Sequence, residues 1–440
     1  MPAGTNIIAH ECPPTLAAAQ KHVAKLRSRI EHALADAEAA RVAGDATRCK
    51  SAQYKARNWA QMLGSSMSGK IVALDAAYEG ARFKKNRPQG EAFYAAAAAL
   101  SLIRPGTEQI HIKAVNKKRY PDFRPIHAFG PAETARQLLF GWCAQPFMPV
   151  EPNQYATRNG GRPAAIKRML ELVENETFRF VATLDIKDFY PNVCRDWLKA
   201  NLPVGVRVSA NVVLAENSHT RSRLSGYGLA SAFHCLSSCS LTYASRQGLL
   251  QGAASSSIVA DAIVAQVLGT LHPTKAIADV ELVNYADNFA LLARTRRELE
   301  AAIQSLSAAF GQHPAGDMRL TCDGIKRLSD GFVFLGYQIK RVRGKVEAVP
   351  TGKNVEKFAR KFDRLAARQV VGEDAGGKEM LRAVKAWRAA FREWQAGDFW
   401  ILARLRAYDR ALPDARRALQ SVFRKLVERD RRQISALLAA

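Results

Sequence analysis

The amino-acid sequence predicts an α+β fold, and three features carry the prediction. Short apolar runs of strand character alternate with segments of helical periodicity through the middle of the chain. Both ends are helical in pattern and strongly basic. Two of the apolar runs, VATLDIKDFYPNV (residues 181–193) and VNYADNFALLA (residues 283–293), each reach an aspartate and return to apolar or aromatic residues. Asp185 and Asp287 lie so far apart along the chain that only a tertiary fold can bring them together.

From Thr15 to Glu79 apolar residues recur at three- and four-residue steps (Leu16, Val23, Leu26, Ile30, Leu34), which predicts two helices broken near Ala43-Gly44-Asp45. RPQGEAFYAAAAALSL reads as a linker and a further helix. IHIKAVNKKRYPDFRPIHAFG is strand-like around a basic turn, and PAETARQLLFGW is a helix with Pro131 at its start. VEPNQYATRNGGRP is a loop, AAIKRMLELVEN a helix, and the first aspartate strand follows. Residues 229–243 read as a buried helix, and RQGLLQGAASSSIVADAIVAQVLGTL as a glycine-marked turn running into another. ELVNYADNFALLAR is a hairpin with Ala286-Asp287 at its tip. RRELEAAIQSLSAAF is an amphipathic helix, RLTCDGIKRL and SDGFVFLGYQIKRV are strands, and the chain is helical and basic from Val355 onward.

Composition narrows the function. With 440 residues the chain can build two or three domains, and 48% apolar content is ordinary for a globular protein. The net charge of +25, from 65 basic and 40 acidic residues, implies a polyanionic partner, most simply nucleic acid. An anionic membrane surface is the weaker alternative. No run of 18 apolar residues is seen, so no spanning helix is expected. MPAGTNIIAHECPP lacks a basic region followed by an apolar core, so no secretory signal is expected. Seven scattered cysteines without a Cys-x-x-Cys pair read as reduced thiols in a cytosol, and His234, Cys235 and Cys239 lack a fourth zinc ligand at familiar spacing.

The two aspartates suggest the chemistry. A buried carboxylate costs several kcal/mol unless paired or on a metal. Two such strands without a matched basic partner are therefore expected to hold divalent cations, as nucleotidyl transfer requires of a pair about 4 Å apart. Either residue alone would read as a strand end or turn. Tyr190 follows Asp185 by an odd spacing; a bend there would swing its ring beneath a bound sugar, where it would clash with a ribose 2′-OH, and the competing reading is a core aromatic. Gly248, Gln251 and Gly252 form a tight turn before a helix, which suits an anion or a nucleotide edge, with Ser255, Ser256 and Ser257 as candidate helix caps. Lys113, Lys117, Lys118, Arg119 and Arg124 form a basic strand-turn unit able to clamp triphosphate oxygens, or else a solvated loop. Lys326 could protonate a pyrophosphate leaving group, or be an ordinary exposed lysine.

The order of these motifs resembles a reverse transcriptase of the bacterial branch around group II intron maturases, retrons and defence-associated enzymes. RFVATLDIKDFYPNV is similar to the first palm motif, with Asp185 at the metal-ligand position and Tyr190 at the sugar gate. RQGLLQGAASSSIVAD resembles the segment whose Gln-Gly turn contacts the incoming nucleotide, here Gln251 and Gly252. NYADNFALL resembles the Tyr-x-Asp-Asp hairpin, GFVFLGYQI the primer grip, and FRPIHAF a fingers strand. PNQYATRNGGRPAAI also has a counterpart, and the terminal helices are similar to maturase extension and thumb segments. The chain departs from the pattern at Asn288, in place of the second hairpin aspartate, and at Leu250, Ser257 and Asp261.

The resemblance implies a right-hand polymerase with fingers, a palm built on an antiparallel sheet, a helical thumb and a helical N-terminal extension. Residues 1–85 would be the extension, 86–345 fingers and palm, and 346–440 the thumb. It implies an RNA-directed DNA polymerase using Mg²⁺ (or Mn²⁺), with Asp185 and Asp287 as metal ligands. Asn288 and Lys326 would join them in catalysis, and Arg124, Lys118, Tyr190, Gln251 and Gly252 would hold the nucleotide. Expected partners are an RNA template, a DNA product and dNTPs, with a companion non-coding RNA as a candidate; oligomeric state is left open. No endonuclease signature follows the thumb, which points to a domesticated or antiviral defence enzyme in the cytoplasm. The alternative is a catalytically weakened RNA-binding maturase or scaffold that keeps the fold.

Overall fold

The structure is a computed structural model describing residues 13–401 apart from 81–82, 117–122, 224–237, 272–276, 278, 343, 371–374, 395 and 398–399. It opens with helices α1 (Leu16–Val42), α2 (Ala46–Ser65), α3 (Met67–Glu79) and α4 (Gly90–Ala99). Strands β1 (Ile110–Asn116) and β2 (Phe123–Ala128) precede α5 (Pro131–Ala144), α6 (Gly161–Glu174) and β3 (Phe180–Lys187). Short helices α7 (Phe189–Asn192), α8 (Arg195–Asn201) and α9 (Val206–Val208) lead to β4 (Thr220–Arg223), α10 (Ser238–Ser245) and α11 (Ala254–Leu271). Then come β5 (Glu281–Tyr285), β6 (Asn288–Ala293), α12 (Arg296–Gln312) and β7 (Arg319–Arg327). Strands β8 (Phe332–Phe334), β9 (Tyr337–Val342) and β10 (Lys345–Pro350) are followed by α13 (Gly352–Val370) and α14 (Ala375–Ala390). The class is mixed α and β, and the chain forms two compact units, each assembled from three stretches of sequence.

The first unit comprises residues 1–150, 187–268 and 309–319. Three helices, rather than the two expected, fill residues 16–79. The extra break is at Ser66, which is extended (ψ 145°) and whose hydroxyl accepts from the Gly69 amide at 3.0 Å. An N-cap of this kind satisfies one orphan amide and starts a new helix. The break near Gly44 does occur, with Asp45 capping α2. Leu26, Ile30, Leu63, Ile71 and Leu74 form the core beneath these helices. α5 carries a buried ion pair: Arg136 donates to both Glu133 oxygens at 2.8 Å and to the carbonyls of Ser101 and Arg104. A three-stranded sheet runs β2-β1-β4, antiparallel between β1 and β2 and parallel between β1 and β4.

The sequence showed no spanning helix, yet α11 is long and apolar enough by length and composition to cross a membrane. Its apolar residues recur on every side, and Val259, Ile263, Val264, Val267 and Leu268 are all core. Of this helix 67% is buried inside the structure, where its apolar residues serve as core.

The second unit comprises residues 151–186, 269–308 and 320–440. Its main sheet has the order β5-β6-β3-β7, and β6 pairs antiparallel with both β5 and β3. A second sheet, β10-β9-β8, is an antiparallel meander whose last hairpin the sequence did not separate from its neighbours. Its core joins α6 (Ile166, Met169) to Val181, Val283, Ala290 and Leu292 of the main sheet and to Phe358, Phe362 and Trp387 of the C-terminal helices.

Candidate active site

The β5–β6 hairpin and β3 place the two aspartates. Asp185 lies opposite Asn288 in the register, and the Ile186 amide donates to the Asp287 carbonyl at 3.0 Å. The residue pair 186/287 is therefore the hydrogen-bonded one, and 185/288 is the close, non-hydrogen-bonded pair whose side chains rise from the same face. The Asn288 side-chain amide donates to the Asp287 carboxylate at 2.8 Å. Asp185 and Asn288 thus share one end of one sheet face, and the Asp287 carboxylate is tied to the Asn288 side chain. At the other end of that face Val181 and Leu292 are buried in the core. The face passes from packed to open along its length, and Asp185 stands at the open end.

This corrects one expectation. Asp185 is exposed and Asp287 half-buried, so burial cost is not what selects a cation here. Strand alternation is the reason: Ala182, Leu184 and Ile186 point into the core, and Asp185 takes the other face beyond the reach of its packing. The donor set is all oxygen, two carboxylates and the Asn288 carbonyl, which fits a hard cation such as Mg²⁺. Among the described residues no cluster of three or more His, Cys, Asp or Glu side chains could hold a metal ion.

The hairpin tip is held from beneath by a residue that the sequence did not single out. Ala286 takes a left-handed φ of 54°, costly for a side-chain-bearing residue. Asn284, fully buried, donates from one side-chain amide to the carbonyls of Ala286 (2.9 Å) and Asn288 (3.1 Å). Its own carbonyl oxygen accepts from Gln154 at 3.4 Å. The backbone of residues 153–155 also bonds the outer edge of β5 at Asn284. A lone Asn inside an apolar strand is the signal that marks such a brace, because a buried amide must be satisfied.

Lys326 is not brought to the carboxylates. Thr321 donates to the Asp185 carbonyl (3.1 Å), and β7 runs back along β3 until Leu328 donates to the Arg179 carbonyl (3.0 Å). Five residues of strand separate Lys326 from Thr321, roughly 15 Å. The leaving-group role is therefore not supported by its placement.

The first unit gathers the nucleotide-side candidates. β3 ends at Lys187, and Asp188 takes a left-handed φ of 49°, turning the chain into α7 with Tyr190. The chain thus bends between Asp185 and Tyr190. The Leu249 amide donates to the Tyr190 carbonyl at 2.9 Å. Gly248 has φ +54°, and a Cβ there would lie 1.8 Å from the same carbonyl. The Gln251 carbonyl accepts from the His127 amide of β2 at 2.8 Å, and Gly252 (φ +101°) leaves no room for a side chain against the His127 carbonyl. Tyr190, Gln251 and Gly252 are thus locked to one another and to β2, whose Arg124 is exposed three residues before His127. Lys118 lies outside the described residues, as do the side chains of His234, Cys235 and Cys239.

The serines after the turn are not caps. Ser256 donates to the carbonyl of Leu250 in the preceding turn (2.8 Å), and Ser257 to that of Ala254 in the helix (3.1 Å). The first amide of α11, Ala254, is satisfied by the buried Gln137 side chain of α5 at 2.8 Å.

No family model matches the chain, and no curated protein matches it. Among solved structures it is similar to apo telomerase from Candida tropicalis truncated from its C-terminal domain, at 14% identity and a TM-score of 0.32. That alignment covers 56% of each chain, so the chain spans little more than half the length of that structure.

Proposed function

We propose that the chain is an RNA-directed DNA polymerase of reverse-transcriptase type, with a right-hand arrangement of fingers, palm and thumb. The observation that carries the proposal is the register that sets Asp185 beside Asn288, with the Asp287 carboxylate one hydrogen bond away. The ordered motifs around it support the same reading. Asp185 and Asp287 would hold Mg²⁺ or Mn²⁺, with the Asn288 carbonyl oxygen as a neutral neighbour. The chemistry that such ions supply when bound is polarisation of a primer 3′-hydroxyl and neutralisation of triphosphate charge.

The chain's own residues would do the rest. Asn284 and Gln154 hold the hairpin tip, and hence the Asp287 carboxylate, in one orientation. Tyr190, fixed through its backbone to the Gln251–Gly252 turn, would stand under the incoming sugar and exclude a 2′-OH. Gln251 and Gly252 would present backbone to the nucleotide, and Arg124 would bind triphosphate oxygens by charge-assisted hydrogen bonds. Lys326 has no part in this proposal. RNA template, DNA product and dNTPs are the proposed partners.

Asn288 favours a second reading, since an amide satisfied by Asp287 replaces a ligand charge; the chain would then be an RNA-binding scaffold. Polymerisation decides between them: purified protein, Mg²⁺ or Mn²⁺, a primed RNA template and labelled dNTPs. Extension abolished by Asp287→Ala supports the polymerase; no extension with either ion rejects it in favour of the scaffold. Antiviral defence belongs to the same proposal. Phage plating on cells carrying wild type or Asp185→Ala tests it, and equal plating counts against it.

A further inference from the structure

A second site lies within the first unit, beside the turn that carries Gln251 and Gly252. A cavity of about 300 Å³ opens between β1, β2, α8 and the segment preceding β4. Arg124, Tyr190, Gln251 and Gly252 do not line it. Its volume is at the lower end of the range for small-molecule sites.

One wall is apolar, built from Ile110, Leu214, Ala215 and Leu250. The other is cationic. Arg195 is committed to the fold: it donates to the carbonyls of Leu214 (2.8 Å) and Arg246 and lies 3.6 Å from the Glu216 carboxylate. Glu216 is itself shared with Lys199 at 3.4 Å. Arg246 lines the same cavity with its side chain exposed, and its guanidinium has no hydrogen bond or ion pair among the described residues. Of the pocket's charges, Glu216 is answered by Arg195 and Lys199, and the Arg246 charge is left over.

A second observation points to a ligand. Ser218 lines this cavity, and its buried Oγ has no hydrogen-bond partner among the described residues. A buried hydroxyl without a partner is costly, and a ligand oxygen would satisfy this one. A free guanidinium fork and an unsatisfied hydroxyl, in a cavity also lined by apolar side chains, fit a tetrahedral oxyanion carried on a compact apolar group.

We propose that this cavity binds a small phosphate monoester, with Arg246 and Ser218 on the phosphate and Ile110, Leu214 and Leu250 against the organic group. The site does not depend on the polymerase reading, and its ligand would be held without being turned over.

The test uses the full chain, with phenyl phosphate, inorganic phosphate and acetate as probes in isothermal titration calorimetry at constant ionic strength. Phenyl phosphate is expected to bind one per chain, more tightly than inorganic phosphate, with acetate weaker than both. Arg246→Ala, which leaves every bond of the fold in place, is expected to weaken phenyl phosphate by about tenfold or more. Ser218→Ala should weaken it less, and Arg246→Lys should restore part of the loss. Unchanged affinity in Arg246→Ala would place the anion elsewhere on this basic surface and overturn the proposal. Equal binding of acetate and phenyl phosphate would also overturn it.

Discussion

Asn288 is the residue on which the candidate site turns. Its amide donates to the Asp287 carboxylate, so it orients one proposed ligand while facing the other across the β3–β6 pair. Replacing it by aspartate exchanges an attraction for a repulsion between carboxylates on neighbouring positions. Without divalent cation, Asn288→Asp is expected to lose about 1–2 kcal/mol of stability. With Mg²⁺ present the added charge becomes a ligand, so the variant should gain more melting temperature from Mg²⁺ than wild type does. Thermal denaturation with and without Mg²⁺ checks this, and equal shifts in the two proteins would show that no cation binds between Asp185 and Asp287. Asn284 acts one layer below. Its amide bonds two carbonyls of the tip from a fully buried position, so Asn284→Ala is expected to cost about 1–3 kcal/mol. Chemical denaturation measures that cost, and a loss near zero would show the tip to be self-supporting.

At the scale of elements, the turn before α11 is held by closeness rather than by side chains. Gly248 presses on the Tyr190 carbonyl, and its left-handed φ of +54° adds strain for any other residue. Gly248→Ala should therefore cost more than about 3 kcal/mol, by denaturant titration. On the proposed function it should also relax discrimination between dNTP and NTP, because Tyr190 loses its anchor. His127 joins the same turn to β2, its two ring nitrogens facing the carbonyls of Gln251 (3.2 Å) and Ser245 (3.1 Å). Burial holds its pKa below the ordinary histidine value, with Arg195 adding to the effect and the two carbonyls opposing it. The unfolded chain then takes up a proton below about pH 6.5 where the folded one does not. This contribution to stability is complete above that pH and is lost as pH falls through it. His127→Gln should lose less stability than wild type between neutral and mildly acidic pH, and parallel stability–pH curves would contradict that. These elements also show what sequence can reveal. The hairpin of residues 281–293 was legible because apolar runs flank a polar tip, and the Gly248–Gly252 turn because glycines cluster before a helical period. The serine caps were misread because the acceptor that serves the first amide of α11 comes from Gln137, more than a hundred residues earlier. Asn284 escaped notice for the same reason, since its partner Gln154 belongs to a distant loop. Lys326 was legible as a residue but not as a place, because β7 pairing decides which end of the sheet it occupies.

For the whole molecule the dominant quantity is charge. A net +25 over 440 residues exerts a field that no single side chain supplies, and the described helices show where much of it is displayed. In α1 and α2, Lys21, Lys25, Arg27, Arg29, Lys50, Lys55 and Arg57 are all exposed, while Leu26, Ile30 and Leu63 hold the opposite faces in the core. Tyr54, 67% exposed between Lys50 and Arg57 on α2, offers a ring on which an unpaired base could stack. Binding driven by such a surface releases counterions from the nucleic acid, and each neutralised phosphate contributes about −0.9 to the slope of log K against log salt on a duplex, or about −0.7 on a single strand. RNA affinity is therefore expected to fall with a slope of about −4 or steeper, as for a protein that neutralises five or more phosphates. Filter-binding or anisotropy titrations across a salt series measure it. Charge reversal at Lys50 and Arg57 should flatten the slope by about one unit for each phosphate that is no longer neutralised, and Tyr54→Ala should lower affinity at every salt without changing the slope. A slope near zero would mean that the basic surface does not carry the binding. A slope that stays steep in the reversal variants would move the RNA path off α2.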